Sequence, residues 1–341
     1  MKQILITQAI MDMAQEYADN LFEDKKGKFV QPVVGLKNLI LDLQEVNRGL
    51  SDSDKYIKYV EEIIKDFSKL KNLLPSKVDE YKEKYDGILN DDKLSVTIMH
   101  RKRNLPKVKE NRKGLPEYSV VFYDEIVCRM HYEDVRPYMG KYMKQIGLNT
   151  CVYCNNTKAT VSVDRKEVYY PFDHSKPKDK YPFLCISFFN LYPCCTRCNG
   201  HKLNNTEKIF QIYVEEEPLK DPFVFGIERN KVVDGDPQSI KVGFASRDFV
   251  DKDLADDYNE NYRITEFYNS EDEKRSSYKM LKDIEKYRAS YPDAMQASLA
   301  LKVDRKRLFQ DILGLDDNEA NIFTDVNKKL KLDTAKDAKL I

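Results

Sequence analysis

Residues 151–202 read CVYCNNTKATVSVDRKEVYYPFDHSKPKDKYPFLCISFFNLYPCCTRCNGHK and hold six of the seven cysteines of the chain. Two Cys-x-x-Cys pairs bound this stretch, Cys151 with Cys154 and Cys195 with Cys198. Each pair lets two thiolates bind one ion from a tight turn, and two pairs complete a tetrahedral shell of four sulfurs. The spacing therefore predicts a zinc site that holds the two ends of the stretch together.

The register of the second pair is open, because Cys194 adjoins Cys195 and can compete for the same ion. Cys128 and Cys185 stand apart from both pairs and are expected to be small core residues. A closed shell of four sulfurs leaves no position for a substrate, so we expect the zinc to be structural rather than catalytic.

The composition is that of a globular chain with a substantial core. Among the 341 residues, 41% are hydrophobic, and 57 basic side chains balance 57 acidic ones to a formal net charge of zero. No apolar run reaches the roughly 18 residues that a membrane span needs, and acidic residues interrupt the N-terminal segment where a signal peptide would lie. We therefore expect a cytoplasmic protein without a membrane segment, whose cysteines stay reduced or bind metal.

Apolar residues recur at helical spacing on both sides of the cysteine-rich stretch. We expect three regions: a helical region at 1–147 that carries a basic arm, a core at 148–215, and a region at 216–341 with a small β-hairpin and a helical end. The predicted fold class is α+β, a mainly helical chain around a central core with short strands.

Local signals mark several turns and ends. Gly147 is placed like a helix C-cap, and residues 160–172 alternate like two strands around a turn at 164–166. Asp234-Gly235 is a hairpin signal between two β-rich runs. The lysine-rich end of the chain, from Lys328 onward, is expected to fray.

A basic arm precedes the core. Residues 101–113 read RKRNLPKVKENRK, with seven basic residues and one glutamate, and Pro106 and Gly114 favour a loop over a long helix. The arm either contacts nucleic-acid phosphates or is a solvated charged loop, and the residues alone leave both interpretations open. Its candidate nucleic-acid contacts are Arg101, Lys102, Arg103, Lys107, Lys109, Arg112 and Lys113.

A second set of residues lies within the cysteine-rich stretch. Asp173-His174 comes first, then Asn190-Leu191, and Asn199 and Lys202 follow the last cysteine. This order resembles that of the HNH, or ββα-metal, endonucleases. Their pattern is Asp-His on one strand, Asn-Leu at the second strand, then Cys-x-x-Cys followed by His or Asn and a Lys on a helix. Asn199 stands where many members have His, and the crowded Pro-Cys-Cys departs from the usual spacing.

The resemblance implies a zinc-stabilised ββα-metal core and a role for each motif residue. His174 would be the general base, since an imidazole with its ordinary pKa near 6.5 is suited to neutral pH. Asp173 and Asn199 would give oxygen ligands to a catalytic Mg²⁺ or Mn²⁺ ion. Asn190 would pin the loop and set the His174 ring, and Lys202 would contact phosphate.

Two lysines between the predicted strands, Lys176 and Lys178, are further candidates for contacts with the nucleic-acid backbone. The stretch is most similar to the HNH nucleases of Septu-type and retron-associated anti-phage systems, in which the nuclease works beside an ATPase. The chain itself lacks the Gly-x-x-x-x-Gly-Lys-Ser/Thr motif, so that resemblance implies a separate ATPase partner.

The sequence thus predicts a metal-dependent endonuclease that cuts DNA in anti-phage defence, with RNA as an open alternative substrate. The competing hypothesis is a non-catalytic, zinc-stabilised protein that binds nucleic acid or serves as a scaffold subunit of an ATPase complex. Only the catalytic hypothesis needs a reactive imidazole at position 174.

Overall fold

The structure is a computed structural model that describes most of the chain. The described residues are 1–25, 27, 29–101, 119–162, 167–203, 209–219, 221–301, 310, 313–315 and 320–339. The turn predicted at 164–166 lies outside them. So do six basic residues of the arm, namely Lys102, Arg103, Lys107, Lys109, Arg112 and Lys113.

The protein is a mixed α/β fold in which helices predominate. Before residue 148 the helices are α1 (Gln8–Asn20), α2 (Pro32–Val46), α3 (Ser53–Leu70), α4 (Val78–Asp86), α5 (Asp91–Leu94), α6 (Phe122–Arg129) and α7 (Arg136–Ile146). Later helices are α8 (Thr196–Lys202), α9 (Leu254–Tyr262), α10 (Ile264–Tyr268), α11 (Glu271–Leu301) and a C-terminal helix (Lys328–Asp337). No helix in the described ranges is long and apolar enough to cross a membrane.

Sequence signals account for several helix ends. Thr7 caps α1 by accepting a hydrogen bond from the Ile10 amide, and Pro32 opens α2, where its missing N–H costs nothing. Gly147 ends α7 with φ +83°, which confirms the predicted C-cap, because this backbone region favours glycine. The N-terminal helices pack on one another, with α2 against α3 and α6.

The strands are short and pair two by two. The strands are β1 (Ile4–Leu5), β2 (Thr97–Met99), β3 (Ser119–Val121), β4 (Val161–Ser162), β5 (Glu167–Val168), β6 (Phe172–His174), β7 (Leu191–Pro193), β8 (Tyr213–Val214), β9 (Phe223–Ile227) and β10 (Val242–Ser246). β1 pairs in parallel with β8, and the antiparallel pairs are β2 with β3, β4 with β5, β6 with β7, and β9 with β10. The alternation predicted in 160–172 therefore corresponds to the β4–β5 pair.

The hairpin predicted around Asp234-Gly235 is right in its strands and wrong in its turn. β9 and β10 pair with Ile227 opposite Val242, but two short 3₁₀ segments, Arg229–Asp234 and Pro237–Ser239, connect them. Gly235 ends the first of these segments with φ +72°. The Asp-Gly signal was that of a 3₁₀ end, which uses the same glycine conformation as a tight turn.

The expectation that the lysine-rich end frays is wrong. The C-terminal helix packs against β9, and Lys328 and Lys329 are 0% and 2% exposed. The Lys329 ammonium lies 2.6 Å from an Asp221 oxygen and 2.8 Å from an Asp333 oxygen. The lysines are buried because they find carboxylates, and Asp221 lies too far away in sequence for a local pattern to reveal it.

All three predicted regions contribute to one continuous apolar core. Tyr17 of α1, for example, donates a hydrogen bond to the backbone oxygen of Ile186, and its ring packs against Phe188. The cysteine-rich stretch is therefore buried between helices from both ends of the described chain.

Candidate active site

The two Cys-x-x-Cys pairs meet in one buried cluster, which we call the cysteine cluster. Its ligand atoms, from Cys151, Cys154, Cys195 and Cys198, all lie within 4.8 Å of one another. The Cys154 and Cys195 sulfurs are 3.9 Å apart. Tetrahedral zinc with Zn–S bonds of about 2.3 Å places its sulfurs about 3.8 Å apart, so the cluster can bind a structural zinc ion.

The structure also shows whether Cys194 or Cys195 belongs to the second pair, which the sequence left open. Cys194 points away from the cluster, and its sulfur lies 3.6 Å from the backbone oxygen of Pro171. Cys185 is buried beside the Met130 sulfur, at 3.7 Å, in keeping with a small core residue, whereas the same expectation for Cys128 is wrong because its side chain is exposed. The second pair is therefore Cys195 with Cys198.

The pKa values of the thiols explain why a cation would stabilise the cysteine cluster. Burial raises the pKa of the Cys151 thiol well above its ordinary value, whereas hydrogen bonds from Cys151, Cys154 and Cys198 lower the pKa of Cys195. Four sulfurs so close together cannot all carry negative charge on their own, and a dication removes that restriction. Arg197 adds a positive charge beside them, donating to the Cys198 sulfur at 3.4 Å.

The motif residues lie on a hairpin followed by a helix. β6 pairs with β7 so that Asp173 is opposite Tyr192 and His174 is opposite Leu191, and α8 follows β7 after two residues. The Cys195 sulfur accepts a hydrogen bond from the Cys198 amide and so caps the start of α8. The cysteine cluster thus fixes where the helix begins relative to the hairpin.

His174 is buried and neutral. Its Nε2 lies 3.0 Å from the backbone oxygen of Cys185, and its ring packs at 4.5 Å from the ring of Tyr132. Because a carbonyl oxygen only accepts, Nε2 carries the proton and Nδ1 is the basic nitrogen. Burial lowers the pKa of His174 to about 3, so the ordinary pKa expected from sequence does not hold in the folded chain.

Lys202 does not reach outward to phosphate as expected. The residue is 1% exposed, and its ammonium lies 3.0 Å from one Asp173 oxygen and 2.6 Å from the backbone oxygen of His174. Tyr153 donates a hydrogen bond to the same Asp173 carboxylate. Asn199, on the same helix α8, is partly exposed, whereas Lys202 is buried against β6.

Burial raises the pKa of Asp173, although the charge of Lys202 opposes this effect. Carboxylate oxygens are the donors that Mg²⁺ and Mn²⁺ prefer. Both oxygens of Asp173 are nevertheless already bonded, one to Lys202 and Tyr153 and the other to Lys202, within a 5% exposed side chain. In this arrangement the residues do not fit a divalent ion at Asp173.

Asn190 clamps the loop between the two strands. Its side-chain oxygen accepts from the Lys176 amide at 2.7 Å, and its amide group donates to the backbone oxygens of Lys176 and Leu184, each at 3.1 Å. The His174 ring is instead oriented by the Cys185 oxygen. That contact left no signal in the sequence, since every residue carries a backbone carbonyl.

The candidate nucleic-acid contacts divide into two groups. Lys176 and Lys178 are partly exposed, and the Lys178 ammonium lies 5.9 Å from the centre of the Tyr132 ring that packs on His174. Arg101 forms salt bridges with two carboxylates, and its guanidinium lies 2.6 Å from Asp42 and 3.0 Å from Glu45. Arg101 is thus held by two carboxylates of α2, and its expected contact with phosphate stays a prediction.

Comparison with known proteins gives one partial relative. Over 89 residues the chain is 34% identical to the Septu protein PtuB of Bacillus thuringiensis, a match that covers 26% of this chain and 30% of that protein. No family model matches the chain, and no solved structure matches it. The chain is thus a partial homologue of a Septu protein, and the comparisons leave membership of the HNH family unconfirmed.

Proposed function

We propose that the chain is a ββα-metal endonuclease that hydrolyses phosphodiester bonds of DNA in Septu-type anti-phage defence. The partial similarity to PtuB supports the defence role. The observation that carries the nuclease role is His174, whose Nε2 is held by the Cys185 oxygen on the hairpin that precedes α8. A neutral imidazole with a fixed tautomer is what a general base requires.

The low pKa of His174 is compatible with this role. At neutral pH the ring is unprotonated, so Nδ1 is able to take a proton from water. A phosphodiester brought next to the ring adds a negative charge, and a nearby negative charge raises the pKa of an imidazole. The substrate itself would therefore increase the basicity of His174 where the proton is transferred.

Lys176 and Lys178 would hold the backbone of the substrate on the outer side of the loop that Asn190 clamps. Such contacts carry no sequence information, so target choice would depend on other surfaces or on a partner. An ATPase is the partner expected for a Septu-type system, and the chain carries no P-loop motif of its own.

A plasmid assay tests the proposal. Supercoiled DNA is incubated with the full chain, alone and with a candidate ATPase partner, in Mg²⁺, Mn²⁺ or EDTA. We expect cleavage that His174→Ala reduces by about 100-fold or more, the usual contribution of a general base. His201→Ala is the matched control, since His201 is an exposed histidine on α8. Undiminished cutting by His174→Ala would remove His174 from the mechanism, and RNA cleavage in parallel tubes would change the substrate.

A second candidate function is that of a non-catalytic, zinc-stabilised nucleic-acid-binding or scaffold subunit. The observation that favours it is the closed state of the motif, in which His174 is 8% exposed and Asp173 is neutralised by Lys202. Full phage protection by the His174→Ala chain, together with copurification of an ATPase, would select this function.

A further inference from the structure

We propose that Lys202 is a resident cation for Asp173, whose ammonium occupies the carboxylate in place of a divalent ion and excludes one there. This inference rests on the proposed function, because a divalent ion at Asp173 belongs to the nuclease hypothesis. It makes Lys202 a positioning residue that acts through Asp173.

The bonding of Lys202 is complete without any further ligand. A lysine ammonium has three donors, and three oxygens surround this one: Asp173 Oδ1 at 3.2 Å, Asp173 Oδ2 at 3.0 Å and the His174 carbonyl at 2.6 Å. The side chain of Lys202 is 0% exposed. A buried charge is tolerated only when it is paired and fully hydrogen-bonded, and Lys202 meets both conditions.

The Lys202 ammonium and a divalent ion would compete for the same oxygens of Asp173. The Asp173 carboxylate has one negative charge, and Lys202 already balances it inside a water-poor site. A second cation on these oxygens would lie within a few ångströms of the ammonium, where like charges repel strongly because the surroundings screen them poorly. The Lys202 ammonium therefore excludes a divalent ion from the Asp173 carboxylate.

Mn²⁺ binding, followed by electron paramagnetic resonance without any nucleic acid, tests the inference. The full chain is compared with Lys202→Gln after zinc content and thermal melting have been measured for both. We expect Lys202→Gln to bind Mn²⁺ roughly 10- to 100-fold more tightly, the range by which groups next to a metal ligand change affinity. Adding Asp173→Asn to that variant should cancel the gain, which would place the ion on Asp173.

The opposite result is equally informative. If Lys202 merely holds Asp173 in position for the ion, Lys202→Gln weakens Mn²⁺ binding, and this outcome or an unchanged affinity would overturn the inference. Lys329→Gln is the matched control, because Lys329 is another buried lysine that pairs with other carboxylates, Asp221 and Asp333.

If Lys202→Gln does not fold, Lys202→Met replaces it, because methionine is also a long unbranched side chain without a charge. Lys202→Arg should give no gain in Mn²⁺ affinity because it keeps the charge.

The plasmid assay is scored separately. Cleavage without tighter Mn²⁺ binding would overturn only the role of Lys202, and tighter binding without cleavage would overturn only the nuclease.

Discussion

The burial of His174 predicts how the free energy of unfolding depends on pH. In the unfolded chain the imidazole has its ordinary pKa of 6.5, and in the folded chain burial lowers that pKa to about 3. Folding therefore favours the neutral ring. The associated stability is fully present above pH 6.5 and is lost as the pH falls toward 3, because the unfolded chain gains a proton that the folded chain does not.

The size of the loss follows from the same two pKa values. Between pH 7 and pH 5, proton binding to the unfolded chain at His174 should cost about 2 kcal/mol of unfolding free energy. This figure depends little on the folded pKa as long as it stays well below 5. Urea unfolding of the original chain and of His174→Asn is measured at several pH values. The comparison isolates the contribution of His174 to the unfolding free energy, since the other titrating groups are common to both proteins.

We expect the difference in unfolding free energy between these two proteins to fall by this amount on acidification. His201→Asn controls for the substitution itself, because that ring is exposed. A difference that stays flat from pH 7 to pH 5 would mean that the His174 ring is solvated. The Nε2 contact with Cys185 would then not persist in solution, and the argument for a fixed tautomer would fail.

Two further predictions concern metal and nucleic acid. Cys154→Ser should lower the zinc content of the purified chain and its melting temperature, because structural zinc contributes directly to folding; a wild-type chain without zinc by elemental analysis would remove the site. Lys176→Ala and Lys178→Ala should each weaken DNA binding to all sequences alike and reduce the slope of log K against log salt by about one unit, as read from fluorescence anisotropy at several salt concentrations; an unchanged slope would show that neither lysine contacts phosphate.

Some parts of the site could be read from the sequence because their signals are local. Two cysteines three residues apart meet on one turn, and Gly147 ends a helix through its own backbone freedom. The HNH resemblance implied two strands followed by a helix in this stretch, and the structure has β6, β7 and α8 there. Each of these features depends on residues that are neighbours in the chain or that lie at a fixed spacing.

Other parts of the site depend on contacts between residues that are far apart in the sequence, which residue spacing does not predict. Lys202 was expected to face outward, and its burial follows from a carboxylate 29 residues away in the chain. The orientation of His174 depends on a backbone oxygen, that of Cys185, and the lowered pKa depends on how tightly the surrounding elements pack. Sequence reasoning thus misjudged the electrostatic state of His174 and Lys202, and their roles in catalysis stay predictions.

The cysteine cluster also connects the motif to the C-terminal part of the chain. Tyr258 and Tyr268 donate hydrogen bonds to the backbone oxygens of Tyr153 and Cys154, each at 2.8 Å. Asn155 donates to the Ile322 oxygen at 2.7 Å. These partners lie more than 100 residues beyond the first Cys-x-x-Cys pair, farther than the 89-residue similarity to PtuB reaches.

That similarity therefore covers at most one side of this contact. Because the C-terminal region binds the outer backbone of the first Cys-x-x-Cys pair, loss of zinc should weaken these contacts together with the motif. A zinc ion in the cluster would therefore stabilise the site from within, while the C-terminal region packs on the outer backbone of the first pair.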